Sequence, residues 1–385
     1  MRLNQHVEQA PGYPFLRVAE ARGAAQARGI DVVDLSLGAP TDPAPQAVRD
    51  ALVDAAATLP LCDYPSAAGL HALRAAIAAW IERRFAVALE ADDEVLPTLG
   101  AKEPIAVLAR LFARERDTIV VCSPSYPVPE RSARAAGLTI ETQTLSEQRG
   151  WLPDPEAIDW HSVAIVWVVN PHNPTGATAS LELLDELAER CRRRGAILAV
   201  DETYSEFWFG RTPPVSALQL ADRTGVVVFN SLSKRSGLAG LRSGFVAGDP
   251  TIVARIRRHR SDIGTTPQTF VQRASIAAWE DETHVAQARA RYADKRTLLA
   301  TAAARAGLLD AGSPAGIFLW LGVPGGDDVR AYELLLERSL LVVPGSYLGV
   351  GGEGYLRLAL TPPADDVVRA AELLTAGAAA LVGSA

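Results

Sequence analysis

Ser180-Leu181-Glu182-Leu183-Leu184-Asp185-Glu186-Leu187 opens a segment that stops at Gly195, and Ala196-Ile197-Leu198-Ala199-Val200 follows directly, ending on Asp201. The first part reads as a helix. It starts near Ser180, carries Arg192-Arg193-Arg194 in its last turn and stops at a glycine. The second part is short and wholly apolar, as expected of a strand buried on both faces. A helix that leads straight into such a strand is the grammar of a doubly wound α/β domain.

The same grammar extends in both directions. Apolar, β-rich runs occur at residues 95–99, 118–122, 164–169, 197–200, 226–229 and 244–247, with amphipathic helices between several of them. Helical spacing covers residues 44–57 and 69–84, where Leu70, Leu73, Ile77, Trp80 and Ile81 share a face. The first forty residues read as an irregular arm followed by a short strand at 32–37. After about residue 250 the character changes. A long helical region runs to about 306, then come strand-like runs at 317–321, 341–343 and 355–360, a helix at 327–338 and a final helix. That order suits a smaller α+β domain. The expected boundaries are 1–44 for the arm and part of the small domain, 45–275 for the large domain and 276–385 for the small one.

A chain of 385 residues exceeds the size at which one core stops growing, which agrees with two domains. Hydrophobic residues make up 48% and charged residues 22%, and the formal net charge is -7. An acidic chain without a basic stripe argues against nucleic-acid binding. The three cysteines, Cys62, Cys122 and Cys191, are odd in number and widely spaced, so neither a disulfide framework nor a metal site is expected, and all three read as small, partly buried residues. Met1 to His6 shows no apolar core of signal-peptide type, and no apolar run is long enough to span a bilayer; a cytoplasmic location is expected.

Polar residues gather where apolar runs end. Lys234 sits in Asn230-Ser231-Leu232-Ser233-Lys234-Arg235, and Gly240-Leu241-Arg242-Ser243-Gly244 follows. Hydroxyls, a guanidinium and glycines that allow close backbone approach are what a phosphomonoester needs. An amine that condenses with an aldehyde must also lose its proton, which nearby cations and desolvation favour. Asp201 reads either as a turn or cap residue or as the partner of a pyridinium nitrogen. Tyr204 reads either as core packing or as a hydroxyl that reaches a phenolate oxygen. Asn170-Pro171-His172-Asn173-Pro174-Thr175-Gly176 is a rigid turn whose Pro and Gly are explained by the turn alone; Asn173 is not. Gly100-Ala101-Lys102 opens a helix N-terminus, a ready phosphate site, and Tyr126 in Pro124-Ser125-Tyr126-Pro127 reads either as a ring for stacking or as simple packing. A nicotinamide site is disfavoured, because no strand is followed by Gly-x-Gly-x-x-Gly.

Taken together and in order, Gly100-Ala101-Lys102, Tyr126, Asn173 in an Asn-Pro-Thr-Gly turn, Asp201-x-x-Tyr204, Ser231-x-x-Lys234 and Arg242 resemble the class I/II aminotransferases of fold type I. The resemblance spans the whole chain. It implies a large domain with a seven-stranded, mostly parallel sheet plus a smaller α+β domain, and pyridoxal 5′-phosphate held covalently by Lys234. It further implies that the phosphate is bound by Gly100, Ala101, Lys102, Ser231, Ser233 and Arg242, that Tyr126 stacks on the ring, that Asn173 and Tyr204 bond its oxygen, and that Asp201 pairs with its nitrogen. Tyr64 matches a tyrosine that serves the neighbouring subunit's phosphate, so a homodimer is implied. Arg357 matches an arginine for the substrate α-carboxylate, and Gly38 a glycine beside the substrate, where Asn173 also lies. Lys234, Asp201 and Tyr204 would carry the catalysis. The expected reaction moves an amino group between an amino acid and a 2-oxo acid, with glutamate and 2-oxoglutarate as one pair; a lyase, decarboxylase or synthase on the same fold is the alternative. Segments around Lys234 and Arg242, Tyr13-Pro14-Phe15 and residues 98–103 are similar to the succinyldiaminopimelate aminotransferases, whereas residues 349–354 and 361–363 depart from that subgroup. The sequence shows no obvious second arginine for a side-chain carboxylate.

Overall fold

The computed structural model describes residues 14–60 and 62–377. Pro11, Gly12 and Tyr13 of the N-terminal arm lie outside them. The described chain runs α1 (Pro14–Ala27), β1 (Val33–Asp34), α2 (Gln46–Thr58), α3 (His71–Phe85), β2 (Val95–Thr98), α4 (Lys102–Phe112), β3 (Thr118–Ser123), α5 (Val128–Ala135), β4 (Thr139–Thr144), β5 (Val163–Val169), α6 (Leu181–Arg194), β6 (Ile197–Asp201), β7 (Val226–Ser231), α7 (Leu232–Arg235) and β8 (Gly244–Gly248). Then follow α8 (Pro250–Ile263), α9 (Thr269–Glu280), α10 (Thr283–Arg305), β9 (Leu309–Asp310), β10 (Phe318–Gly322), α11 (Asp328–Glu337), β11 (Leu340–Leu341), β12 (Val343–Pro344), β13 (Tyr355–Ala359) and α12 (Ala364–Ala376).

The seven-stranded sheet has the order β2-β8-β7-β6-β5-β3-β4. Only β8 is antiparallel to its neighbours, so the carboxyl ends of the other six strands share one edge. Alternation splits the strand residues between two cores. Val166, Val168, Leu198 and Val200 pack with Trp80, Leu184 and Trp279 on one side. Ile165, Trp167, Ala199 and Phe229 pack with Ile105, Leu108 and Ile256 on the other. A third core surrounds the antiparallel sheet β12-β13-β10-β9 and takes in Leu35 and residues of α10, α11 and α12.

The helix expected after Ser180 forms as read: the Ser180 hydroxyl accepts from the Leu183 N–H at 3.2 Å, and Gly195 ends it at φ 65°. Three expectations fail. The supposedly irregular arm contains α1, a helix whose mixed faces and internal Gly23 give no clear periodic signal. β4 was missed because Thr-Ile-Glu-Thr-Gln-Thr is polar, which an edge strand with exposed residues tolerates. Cys62 is exposed rather than partly buried, although Cys191 is buried and Cys122 half-buried.

Candidate active site

Five strand ends deliver the functional side chains to one cleft. β2 leads into Gly100-Ala101-Lys102, β3 into Tyr126, β5 into the Asn173 turn, β6 ends on Asp201, and β7 leads through Ser231 into Lys234 on α7. A cavity of about 450 Å³ there is lined by Ala101, Lys102, Tyr126, Asp201, Tyr204, Ser231, Ser233, Lys234 and Arg242, together with Ile105, Thr203 and Ala239. This is the edge at which open α/β sheets bind ligands.

The Lys234 ammonium donates to the Gly38 carbonyl. Burial, reinforced by the Arg357, Arg242 and Lys102 cations and opposed by Asp201, pushes its pKa down to about 8. Burial raises the pKa of Asp201, against hydrogen bonds from Thr203 and the pull of Lys234. The Thr203 N–H donates to Asp201 Oδ1 at 3.1 Å, and the Thr203 hydroxyl donates to the same oxygen, which fixes the carboxylate's orientation. Asn173 Nδ2 donates to the Tyr204 hydroxyl at 3.2 Å, while Asn173 Oδ1 accepts from Arg357 Nη1 at 3.1 Å. Arg357 also donates through Nη2 to the Ser36 carbonyl at 2.8 Å, and its guanidinium lies between the rings of Phe318 and Phe15, 4.2 and 5.0 Å from their centroids.

The phosphate end is built from small groups. The Ser231 hydroxyl lies 2.9 Å from that of Ser233 and donates to the Ser243 carbonyl at 3.0 Å. Gly100 has φ 71°, and a Cβ there would come within 2.7 Å of Arg242 Nη2. A Cβ on Gly38 would approach Phe318 to 2.6 Å. At Gly100 the positive φ favours glycine, and at Gly38 the Phe318 ring leaves no room for a Cβ.

All the expected residues except Tyr64 therefore gather at the cleft: most line it, Gly38, Gly100 and Asn173 adjoin a lining residue, and Arg357 reaches it through Asn173. Tyr64 is fully exposed and lines no part of this chain's own cleft. Sequence reading missed Thr203 and Ser36, which hold Asp201 and Arg357. Asp-x-Thr at a strand end is the signature of a local side-chain turn and could have flagged Thr203. Ser36 contributes only a carbonyl, which carries no sequence signal.

The residues present suit a phosphorylated aldehyde cofactor. The cleft combines a lysine of lowered pKa, a buried carboxylate for a ring nitrogen, and hydroxyls with a guanidinium for a phosphate. Comparison with known proteins agrees. The profile of the family "Aminotransferase class I and II" matches residues 30–374. An LL-diaminopimelate aminotransferase of Dehalococcoides mccartyi is 34% identical over 370 residues, covering 94% of this chain and 95% of that one. The 4-dedimethylamino-4-oxo-anhydrotetracycline transaminase of Streptomyces rimosus is 37% identical over 375 residues, covering 96% and 100%. An aminotransferase structure from Neisseria meningitidis superposes with a TM-score of 0.89 at 33% identity, over 97% of this chain and 99% of the other. An aspartate aminotransferase of Thermus thermophilus with maleate does so with a TM-score of 0.89 at 26% identity, over 98% and 100%. The chain belongs to the class I and II aminotransferases. It is a transaminase of fold type I that works with pyridoxal 5′-phosphate.

Proposed function

We propose that Lys234 carries the cofactor and moves the proton of the reaction, that Asp201, Tyr204, Asn173 and Tyr126 hold the ring, and that Gly100, Ala101, Lys102, Ser231, Ser233 and Arg242 hold the phosphate. The observation that carries this reading is the placing of Lys234, Asp201, Ser231, Ser233 and Arg242 around one cleft at the carboxyl edge of the sheet, where burial also lowers the lysine's pKa. When bound, pyridoxal 5′-phosphate supplies an electron sink for the electron pair of a substrate Cα–H bond. The chain's residues do the rest. Arg357 grips the substrate α-carboxylate with its planar fork and so presents the Cα–H bond to Lys234. Lys234 Nζ, which gives up its own proton more readily than an ordinary lysine, takes the Cα proton and hands it back on the other side of the amino nitrogen. Asp201, turned by Thr203, keeps a proton on the ring nitrogen. Asn173 spans the two jobs, since it touches both Tyr204 and Arg357.

Glutamate and 2-oxoglutarate are the expected pair on one side of the reaction. The other partner is an amino acid or its oxo acid, N-succinyl-LL-diaminopimelate among the candidates; relatives at 34% and 37% identity are named for unlike substrates, so neither name carries over. Borohydride reduction and peptide mapping should find the phosphopyridoxyl group on Lys234; finding it on another lysine refutes the assignment. A screen of amino donors, read by conversion of the bound cofactor to its amine form, identifies the pair.

The active unit in this reading is a homodimer in the cytoplasm. Support comes from Tyr64, an aromatic residue wholly exposed on its own chain, from exposed Leu16, Leu37 and Val53, and from three unpaired cysteines that suit a reducing compartment. Inactive Tyr64→Ala and Lys234→Ala chains, once mixed, should regain activity through one intact site per heterodimer. No recovery despite subunit exchange counts against shared sites.

A further inference from the structure

Glu103 stands in the first turn of α4, the helix proposed to receive the cofactor phosphate at its N-terminus. An acid there is out of place on charge alone. The helix dipole favours an anion at that end, and a carboxylate competes with the phosphate for it. The Glu103 carboxylate serves the turn before the helix: its Oε2 accepts the Leu99 N–H at 2.7 Å. The Leu99 carbonyl accepts from Arg242 Nη2 at 3.2 Å, and the Thr98 hydroxyl donates to the Gly100 carbonyl at 2.9 Å. Leu99 is therefore held through both its amide and its carbonyl, directly before Gly100, Ala101 and Lys102.

Arg260, from α8, meets this carboxylate. Its Nε lies 2.9 Å from Glu103 Oε1, and its Nη2 donates to Oε2 at 3.4 Å. The shorter contact is not an aligned hydrogen bond, so it is the charges that meet there. Nη1 donates to the Pro97 carbonyl of β2 at 2.7 Å and to the Ala67 carbonyl at 3.1 Å, which fixes the guanidinium from two further segments. The Arg260 side chain is fully buried and that of Glu103 only 11% exposed. Burial pushes the Glu103 pKa up, and Arg260 is the strongest influence against that rise. A buried ion pair adds little net stability, because desolvation offsets the attraction. This one fixes a carboxylate and cancels its charge beside an anion site.

We propose that Arg260 is a positioning residue for the cofactor phosphate: it neutralises Glu103, so that the carboxylate holds the Leu99 amide in place without repelling the phosphate. The inference rests on the reading that Gly100, Ala101, Lys102 and Arg242 bind the phosphate, and it adds the pair that sets their geometry and charge. The two partners then act with opposite sign. Loss of the cation alone leaves a bare carboxylate next to the phosphate. Loss of the acid alone leaves a cation, which favours it.

The test titrates the full chain, stripped of cofactor, with pyridoxal 5′-phosphate and with pyridoxal, which lacks the phosphate. Binding is read from the absorbance of the bound ligand, and the ratio of the two dissociation constants isolates the phosphate's share. Arg260→Gln should lower the preference for the phosphorylated form by about tenfold or more and leave pyridoxal binding nearly unchanged. Arg260→Lys should restore part of the preference. Adding Glu103→Gln to Arg260→Gln should recover it, because the bare carboxylate is gone. Glu103→Gln alone keeps an oxygen for the Leu99 N–H and should match or exceed the parent's preference. Equal losses for both ligands, as a merely structural role gives, or an unchanged preference in folded Arg260→Gln, overturn the proposal. Where circular dichroism shows that Arg260→Gln does not fold, Glu103→Gln decides, since a fall in preference there contradicts the charge argument. Arg242→Gln separates this from the reading beneath it: if changing that proposed phosphate ligand also leaves the preference unchanged, the phosphate assignment fails and the role of the pair falls with it.

Discussion

Lys234 and Arg235 are adjacent on the short helix α7, and they meet opposite surroundings. Lys234 faces the cleft, where Arg357, Arg242 and Lys102 all disfavour its charge and Asp201 alone supports it. Arg235 faces the other way and is fully buried. It donates to the Ala278 carbonyl at 2.6 Å and to Glu282 at 2.7 Å, with its guanidinium 5.6 and 5.0 Å from the ring centroids of Trp80 and Trp279. Asp201 and Glu202 repeat the contrast. Asp201 turns toward the cleft. Glu202 turns into the core and accepts from the Ala217 N–H at 2.8 Å. On the cleft side, cations crowd together and an amine is left ready to give up its proton. On the core side, cations are matched by acids, carbonyls and rings, and they hold the fold. One residue of offset separates chemistry from structure.

The largest break in this comparison comes from the front. Lys234→Ala should reduce transamination to background while leaving the far-ultraviolet circular dichroism unchanged, because its contacts, the Gly38 carbonyl and the charge of Asp201, lie in the cleft. Residual turnover near the parent's would place the reactive amine elsewhere.

Next in size is the back. Arg235→Ala removes the guanidinium that packs against the touching rings of Trp80 and Trp279, unpairs Glu282, and takes one of the cations that act on buried Glu206, which keeps Arg84 at 3.2 Å. Removing one partner of a fully buried pair costs about 3–5 kcal/mol, and because Glu282 is 47% exposed the expected cost here is lower, about 2 kcal/mol. Urea unfolding followed by fluorescence should show a loss of that order, and a change under about 1 kcal/mol would mean that the pairing contributes little.

Asp201→Asn tests the front again with a smaller effect. The variant keeps its shape and a hydrogen-bonding oxygen for Thr203, but it loses the charge that supports a proton on the ring nitrogen. Electrostatic stabilisation of this kind is worth on the order of 10²–10³ in rate. Single-turnover rates measured with cofactor saturating should fall by that factor, and near-normal turnover would make Asp201 a turn residue only.

How much of this was legible follows from where each signal lies. Asp201, Asn173 and Lys234 were readable because each is a polar residue at the end of an apolar strand, where local sequence shows both the strand and its interruption. Arg357 was readable only through family likeness, since it stands among apolar residues of β13 and is 2% exposed. Helix α1 was not readable, because it has no clear apolar stripe to announce it. Arg235 also looked like part of a cleft motif; its role depends on Trp80 and Trp279, which belong to α3 and α9. β4 was hidden for a related reason, because an exposed edge does not need the apolar composition by which buried strands are recognised.

The smallest effect, and the finest test of the contrast, concerns Glu202. Burial pushes its pKa up to about 8, against hydrogen bonds from Ser216 and Ala217 and the pull of Arg84, with Asp201 adding to the rise. Its Oε2 has no hydrogen-bond partner among the described residues, as suits a neutral carboxyl. The sign follows from proton counting. Above about pH 4.5 an unfolded chain has lost this proton, while the folded chain keeps it up to about pH 8. The folded state therefore binds more protons in that window, so stability declines as pH rises through it and levels off above it. Glu202→Gln cannot ionise and should lack that component. The stability of the variant relative to the parent, from urea unfolding at pH 5, 7 and 9, should rise with pH. Parallel profiles would show that Glu202 is ionised in the folded chain. The core side would then tolerate an uncompensated charge next to Asp201, and the division between the two sides would fail at its nearest point.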